Sequence, residues 1–229
     1  MGAGRETGGG LKEDPIMKVL VTGFEPFGGE PVNPAFEAVK LLPRTIAGAD
    51  VDILEIPTVF HKSVEAIVKR AEETGADRIL MVGQAGGRFE ITVERVGINV
   101  DDARIPDNEG NRPIDVPVDP DGPAAYFSTL PVKAMTERIR SRGIPAKVSN
   151  TAGTFVCNHV LYGVLNAAAK KALPVKAGFI HVPYLPEQAA GKDSVPSMSA
   201  ATIAAALEAA VEAMVTTFGD VKVSGGREH

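Results

Sequence analysis

The amino-acid sequence predicts a single-domain α/β protein, a three-layer α/β/α sandwich with a mostly parallel, twisted sheet and an additional β-hairpin. Short runs of β-branched and aliphatic residues alternate with longer segments of helical periodicity, the order typical of this fold class. The strand-like runs are apolar on both faces, as in strands covered by helices on each side. Hydrophobic residues make up 44% of the 229 residues and charged residues 23%, which is enough for one core.

We assign residues 17–218 to one folded domain, because the alternation is continuous there and shows neither a repeat nor a linker. Residues 1–16 are polar and rich in glycine, and Met17 is a second candidate start. We therefore expect a disordered leader or an appended extension before the domain. Residues 219–229 are predicted to form a polar tail.

The elements can be assigned in chain order. Residues 18–22 form an apolar run that ends at a glycine and predicts a buried strand. Asn33 is a predicted N-cap, and Pro34 is the first position of a helix to residue 42. The later elements are strand 51–56, helix 60–74, strand 78–82, helix 123–142, strand 146–149, a helix that starts around Cys157 and stops before Pro174, strand 177–183 and helix 199–218.

Two further segments have no simple helical or strand pattern. Residues 89–100 carry β-type residues in near-alternation and predict a β-hairpin or one long bent strand, with Glu94 inside it. Glu94 is then either solvent-facing or paired, because charged groups are rarely buried alone. Residues 105–122 lack periodicity and predict a long loop of the kind that is commonly functional or mobile. Its carboxylates lack the spacing of a calcium loop, so we expect a solvated face.

Two glycine-rich turns partly resemble phosphate-binding loops. Gly23 and Gly28 have the separation of a P-loop, but Gly29 and Glu30 stand where lysine and serine or threonine are needed. The turn at residues 83–87 lacks the GxGxxG spacing of dinucleotide loops. The sequence therefore predicts no nucleotide cofactor, and we expect no metal or other cofactor.

Charge and cysteine content restrict the partners. The net charge is −5 and the pI about 5.5, so the chain has no electrostatic footprint for nucleic acid or an anionic membrane. Glu208 and Glu212 interrupt the most apolar long segment, which argues against a membrane span. A lone cysteine and the lack of a signal peptide point to the reducing cytosol. We expect a cytoplasmic protein.

Cys157 is the only cysteine, and the helical pattern places it in the first turn of a helix. Unpaired backbone N–H groups and the positive end of the helix dipole favour a thiolate there, and the thiolate is the nucleophilic form. The alternative is a buried, inert cysteine that acts as a small hydrophobic residue. The stretch alone leaves both interpretations open.

Cysteine-based acyl transfer also needs a base and a group that orients the base. Four histidines are candidates, namely His61, His159, His181 and His229. His61 is predicted to be a surface residue. His159 lies two positions after Cys157 on the same helix, so its side chain points away from the cysteine. His181 lies at the C-terminal end of a strand, where open α/β sheets place their ligands. Glu94 is the acid in the most apolar setting and is the candidate orienting group.

Several ordered motifs extend this hypothesis over most of the chain. They are residues 22–29 (TGFEPFGG), 32–34 (VNP), 57–60 (PTVF), 83–88 (GQAGGR), 94–96 (ERV), 103–110 (ARIPDNEG), 151–159 (TAGTFVCNH) and 179–184 (FIHVPY). With these motifs the chain resembles the pyroglutamyl peptidase type I family of cysteine peptidases, from residue 18 to about 218. The resemblance implies a cytosolic exopeptidase that removes an N-terminal pyroglutamyl residue from peptides and often forms homotetramers.

The resemblance also implies the site residues. The catalytic glutamate, cysteine and histidine fall on Glu94, Cys157 and His181. The implied pocket for the five-membered lactam consists of Phe24, Phe27, Asn33, Thr58, Gln84, Arg104, Ile105, Phe155 and Val156. Gly97 stands where the family usually has alanine, and we expect it to loosen the strand near Glu94.

Two other functions remain as alternatives. A nucleoside-phosphorylase-like enzyme has a similar α/β architecture by analogy, but it would need basic residues for phosphate and would not depend on Cys157. A catalytically inactive relative would keep a pocket for pyroglutamate without turnover.

Overall fold

The computed structural model describes residues 16–226, so the predictions for residues 1–15 and 227–229, including His229, lie outside the described residues. The strands are β1 (Lys18–Phe24), β2 (Thr45–Ile46), β3 (Ala49–Ile56), β4 (Arg78–Gln84), β5 (Ile91–Glu94), β6 (Val96–Ile98), β7 (Ala125–Phe127), β8 (Ala146–Ser149) and β9 (Lys176–Val182). The helices are α1 (Pro34–Val39), α2 (Lys62–Thr74), α3 (Val132–Ser141), α4 (Val156–Lys170), α5 (Pro186–Ala189) and α6 (Ala200–Thr216).

Seven strands form the central sheet in the order β2-β3-β1-β4-β9-β5-β8. Strands β3, β1, β4 and β9 are parallel to one another, whereas β5 is antiparallel to β9 and parallel to β8. Strands β6 and β7 form a separate antiparallel pair. The predicted mostly parallel sheet with a small antiparallel addition is confirmed.

Alternate residues of the strands enter two apolar layers. In β1, Val19 and Val21 belong to the apolar layer that includes residues of α1, α3 and α6, whereas Leu20 belongs to the layer on the other face with α2 and α4. This alternation follows from the two-residue period of a strand and explains why the central strands are apolar throughout. Each fully buried aliphatic side chain contributes roughly 1.5–3 kcal/mol. The predicted three-layer arrangement is therefore the observed one.

The apolar run at residues 89–100 is a bent strand rather than a hairpin within itself. It divides at Arg95, so that β5 joins the central sheet and β6 pairs with β7. The helix predicted from residue 123 is wrong in its first part, because Ala125–Phe127 is a strand and α3 begins only after Pro131. Apolar residues at 125, 127 and 130 imitate helical spacing over too short a stretch to distinguish the two.

The long loop after β6 is more ordered than its composition indicates. Asp107 is 6% exposed and accepts hydrogen bonds from the backbone N–H groups of Phe60, Glu109 and Asn111. Asp119 accepts from Asn166 of α4 and forms an ion pair with Lys170. The prediction of a solvated acidic face is therefore wrong for these two carboxylates, which organise the loop.

Residues 219–226 pack on the body of the domain. Asp220 accepts hydrogen bonds from the backbone N–H groups of Lys133 and Ala134 in the first turn of α3, at 3.1 and 2.9 Å. Arg95 donates to the carbonyl oxygen of Gly225 at 2.7 Å. This part of the polar tail thus covers the side of the sheet where β8 is the edge strand. Across residues 16–226, every helix is too short or too polar to cross a membrane.

Candidate active site

The sheet brings the end of β9 beside the ends of its two neighbours. His181 is opposite Gly83 of β4 and opposite Thr92 of β5. Glu94 lies two residues after Thr92, so both side chains are on the same face of β5. Helix α4 begins above these strands with Cys157 as its second residue. The three residues predicted to be catalytic therefore come from β5, α4 and β9 and meet at one end of the sheet.

Glu94 and His181 form a direct hydrogen bond. The distance from Nδ1 of His181 to Oε1 of Glu94 is 2.8 Å, and the residues are 4% and 0% exposed. Burial opposes ionisation of Glu94, but the hydrogen bond and charge of His181 outweigh it, with smaller effects of Ser149 and Arg88, and the pKa of Glu94 stays below its usual value. An ionised carboxylate can only accept, so Nδ1 carries the proton and Nε2 is left to exchange one.

The thiol of Cys157 lies against Gly83, next to His181 in the sheet. A Cβ atom on Gly83 would be 3.0 Å from Sγ and 2.7 Å from Cζ of Phe179. Cys157 itself is half-buried. Burial, followed by the charge of Glu94, raises the pKa of Cys157 to about 12, whereas Arg88 and a backbone hydrogen bond act in the opposite direction. Burial thus opposes the thiolate that the start of a helix favours, and a base close to the thiol would assist its ionisation.

Aromatic side chains surround the start of α4. Phe155 is 5.5 Å from Phe60 and 6.2 Å from Phe27, measured between ring centroids. Phe24 and Phe60 are 2% and 4% exposed and belong with Phe179 to one core cluster, against which Phe155 and Cys157 pack. Phe27 and Phe155 are half-buried. The predicted pocket residues Phe24, Phe27 and Phe155 thus lie with Phe60 in or beside this aromatic cluster, and Phe60 was not among the predicted pocket residues.

The other predicted pocket residues differ in accessibility. Val156 is fully buried, Thr58 is 3% exposed, Ile105 is half-buried and Arg104 is exposed. Gln84 accepts a hydrogen bond at 3.0 Å from Gln188 through its side-chain oxygen, so its amide N–H groups remain for another partner.

Asn33 and Thr58 hold the loop after β1. Both side chains donate to the carbonyl oxygen of Glu25, at 3.0 and 3.1 Å. Asn33 also accepts from the backbone of Ala35 and caps α1, as predicted. The Glu25 carboxylate accepts from the backbone N–H of Thr58 and from Asn108 in the long loop. These contacts shape the loop that carries Phe27.

His159 is excluded from the site by its own contacts. It is 1% exposed, its Nδ1 is 2.8 Å from Oδ2 of Asp101, and its Nε2 accepts from the backbone N–H of His61 at 2.9 Å. His61 is exposed, as predicted. A cavity of about 560 Å³ between α2 and α4 is lined in part by these two histidines and does not include Cys157. The histidine that faces the glutamate is therefore His181.

The expectation that Gly97 loosens the strand near Glu94 is wrong. A Cβ atom there would lie 2.9 Å from the backbone nitrogen of Tyr162 in α4. Glycine lets β6 approach the helix closely, so the strand is held against α4 and is not loosened.

Comparison with known proteins agrees with this geometry. The family model described as pyroglutamyl peptidase matches residues 17–217. A pyrrolidone-carboxylate peptidase of Clostridium perfringens is 59% identical over 210 residues, which cover 92% of this chain and 99% of the relative. One of Treponema denticola is 58% identical over 215 residues, with the same coverage of the two chains.

Solved structures show the same similarity. The crystal structure of pyroglutamyl peptidase I from Bacillus amyloliquefaciens has a TM-score of 0.88 at 44% identity and covers 92% of this chain and 100% of its own. The pyrrolidone carboxyl peptidase of Pyrococcus furiosus has a TM-score of 0.82 at 47% identity and covers 87% and 98%. The chain therefore belongs to the pyroglutamyl peptidase family and is a hydrolase of the peptidase class.

Proposed function

We propose that this peptidase removes an N-terminal pyroglutamyl residue from peptides, and that Cys157, His181 and Glu94 carry out the reaction through a thioester. The observation that carries the proposal is the hydrogen bond of 2.8 Å between Glu94 and His181, at the sheet end where the Cys157 thiol lies against Gly83. This arrangement supplies a nucleophile, a base and a group that orients the base.

Each residue then has a defined step. His181 takes the proton of the Cys157 thiol at Nε2, and the thiolate attacks the pyroglutamyl carbonyl carbon. Backbone N–H groups at the start of α4 stabilise the oxyanion. His181 returns the proton to the leaving amine as the thioester forms, and it then activates the water that hydrolyses the thioester. Glu94 holds the imidazole in the required tautomer.

Pyroglutamate suits the surroundings of Cys157. Its lactam ring is neutral and has no free amine, so the ring needs apolar walls and no carboxylate for an ammonium group. Phe27, Phe60 and Phe155 supply such a wall. The lactam N–H and C=O each need a hydrogen-bond partner, because an unpaired buried amide group costs about 1–3 kcal/mol. The side-chain amide of Gln84 is a candidate donor, because Gln84 follows Gly83 and its N–H groups remain for another partner.

The test is the release of a chromogenic anilide from its pyroglutamyl conjugate. The parent should release the anilide, and Cys157→Ser should lose activity by roughly 10³-fold or more while it keeps its Tm, because a hydroxyl is far less acidic than a thiol. Activity of Cys157→Ser within tenfold of the parent would contradict the cysteine mechanism. A nucleoside phosphorylase would instead require inorganic phosphate and survive alkylation of Cys157, and an inactive relative would bind the conjugate without releasing the anilide.

Assembly and location complete the proposal. Resemblance to the family supports a homo-oligomer, and a tetramer is the state to test by light scattering of the full chain. A cytoplasmic location would keep the Cys157 thiol reduced. A monomer in solution would contradict the proposed assembly without affecting the proposed chemistry.

A further inference from the structure

Arg88 contacts the buried carboxylate of Glu94 from a loop outside the proposed triad. It lies in the loop between β4 and β5, and its Nη1 atom is 2.6 Å from Oε1 of Glu94 and 2.6 Å from Oγ1 of Thr92. Oε1 is also the atom that accepts from His181, at 2.8 Å. One carboxylate oxygen is therefore shared by the imidazole and the guanidinium.

Glu94 needs a permanent counter-charge. Its side chain is 0% exposed, and its second oxygen, Oε2, has no hydrogen-bond partner among residues 16–226. Ionising a carboxylate in such a place is costly unless a cation is paired with it. The charge of His181 changes in the proposed reaction, because the imidazole exchanges a proton with the Cys157 thiol. Among the described groups that bond to Glu94, the arginine is the one whose charge does not depend on the reaction, because guanidinium does not deprotonate in proteins.

The arginine also matters for the thiol. When the imidazole and the thiol are both neutral, the positive charge of Arg88 balances the negative charge of Glu94. After proton transfer from Cys157 to His181 the site holds two positive and two negative charges, so the balance is unchanged. Without Arg88 the site with a neutral imidazole and thiol would hold one uncompensated negative charge, which opposes a second anion on sulfur.

A third contact ties this charge to the cysteine loop. Nη2 of Arg88 donates to the carbonyl oxygen of Thr151 at 3.2 Å. Residues 151–155 lead directly into the first turn of α4, where Cys157 lies. The same side chain thus connects the Glu94 strand with the segment that positions the nucleophile.

We propose that Arg88 is a positioning residue of the reaction: its guanidinium keeps Glu94 ionised against His181 and balances the site when the Cys157–His181 ion pair forms. The proposal rests on the triad proposed above. It assigns a role in turnover rather than in binding of the lactam, because the contacts of Arg88 are to Glu94, Thr92 and Thr151.

The experiment compares Arg88→Met and Arg88→Lys with the parent, and with Arg78→Met as a control of equal charge change. Arg78 lies at the opposite end of β4, and its guanidinium donates to the carbonyl oxygen of Asp77. We would measure kcat and KM on the pyroglutamyl anilide from pH 5 to 10. The pH dependence of Cys157 alkylation by iodoacetamide over the same range reports formation of the Cys157–His181 ion pair without turnover, because proton transfer to His181 gives a reactive thiolate below the pKa of the thiol alone.

We expect Arg88→Met to lower kcat by roughly 10–100-fold, with KM changed less than threefold, as for other side chains that orient a reacting group. Its alkylation midpoint should move upward by about one pH unit, since a nearby cation has been removed. Arg88→Lys should keep the midpoint close to that of the parent, because the charge remains, although its kcat stays below that of the parent. Arg78→Met should match the parent in both measurements.

Other results would overturn the proposal. A raised KM with normal kcat and an unchanged alkylation midpoint would make Arg88 a substrate-binding residue. If Arg88→Met does not fold, an upward shift of the midpoint in folded Arg88→Lys would contradict the role of charge. An inactive parent would refute the proposed function, whereas the alkylation midpoints would still test Arg88.

Discussion

At the scale of single residues, Gly83 lies in close contact with the proposed nucleophile Cys157 and with Phe179. A methyl group at this position would lie 3.0 Å from Sγ of Cys157 and 2.7 Å from the ring of Phe179, both closer than normal contact. We expect Gly83→Ala to displace the thiol and lower kcat by about 100-fold, since a misplacement of 1 Å can have that effect. Steady-state kinetics with the pyroglutamyl anilide measure it. Gly191→Ala is the control, because nothing lies within 4 Å of its added methyl group. Equal kinetics of the two variants would show that the thiol tolerates the methyl group.

Phe27 tests what selects the lactam. Proline and pyroglutamate have rings of nearly the same size, so an apolar wall contacts both. A site that hydrogen-bonds a substrate group can reject an analogue without that group by roughly 10⁴-fold, against about 10–200-fold for one methylene. Phe27→Ala should therefore lower kcat/KM for the pyroglutamyl anilide but preserve its ratio to that of the prolyl anilide. Phe218→Ala, at a 92% exposed phenylalanine, is the control. A ratio that falls towards one would mean that ring shape sets the specificity.

At the scale of secondary-structure elements, the last described segment supplies a cap for a helix in the middle of the chain. The carboxylate of Asp220 accepts hydrogen bonds from two backbone N–H groups in the first turn of α3. The N-cap residue of this helix, Pro131, has no side-chain group that could accept them. We expect Asp220→Ala to lower the free energy of unfolding by about 1 kcal/mol and to leave kcat unchanged. Urea denaturation measures the loss, with Asp193→Ala at an exposed aspartate as control. Equal stability of the two variants would show that water replaces this cap without cost.

The pairing of β5 with β9 decides which side chains lie beside His181. Strand β5 runs antiparallel to β9, so Thr92 and Glu94 lie beside His181 and Phe179 in reverse order. The register pairs Glu94 with Phe179, whose side chain lies in the apolar layer with α4, so Glu94 lies on the face of the sheet that α4 covers. The hydrogen-bonded pair of Glu94 and His181 is thus a consequence of strand pairing between distant segments.

At the scale of the whole molecule, Asp119 joins the long loop to α4. Its hydrogen bonds with Lys170 and Asn166 lower its pKa from 3.8 to about 2. Because the folded-state value is the lower one, the resulting stability is fully present above about pH 4 and is lost as the pH falls towards 2. The stability difference between the parent and Asp119→Asn should therefore be constant from pH 7 to pH 4 and shrink below it. Urea midpoints at each pH measure it, with Asp121→Asn as control, and a difference independent of pH would contradict the assignment.

Much of the fold followed from local patterns. The buried strands at residues 18–22, 78–82 and 177–183, the cap at Asn33 and the helix that starts at Cys157 depend on periodicity and turn chemistry within a few residues. Residues 125–127 were assigned wrongly because three residues do not define a period. Their structure is decided by pairing with Val96–Ile98, which are distant in sequence.

The sequence by itself determined the fold class, the family and the three residues proposed for catalysis. These depend on hydrophobic periodicity and on ordered motifs, and both are visible along the chain without knowledge of its folded contacts. Only the tertiary structure decided the partners. It paired Arg88 with Glu94, buried His159 against Asp101 and raised the pKa of Cys157 to about 12. The physical reason is that burial and charge pairing are properties of the space around a side chain, and residues far apart in the sequence create that space.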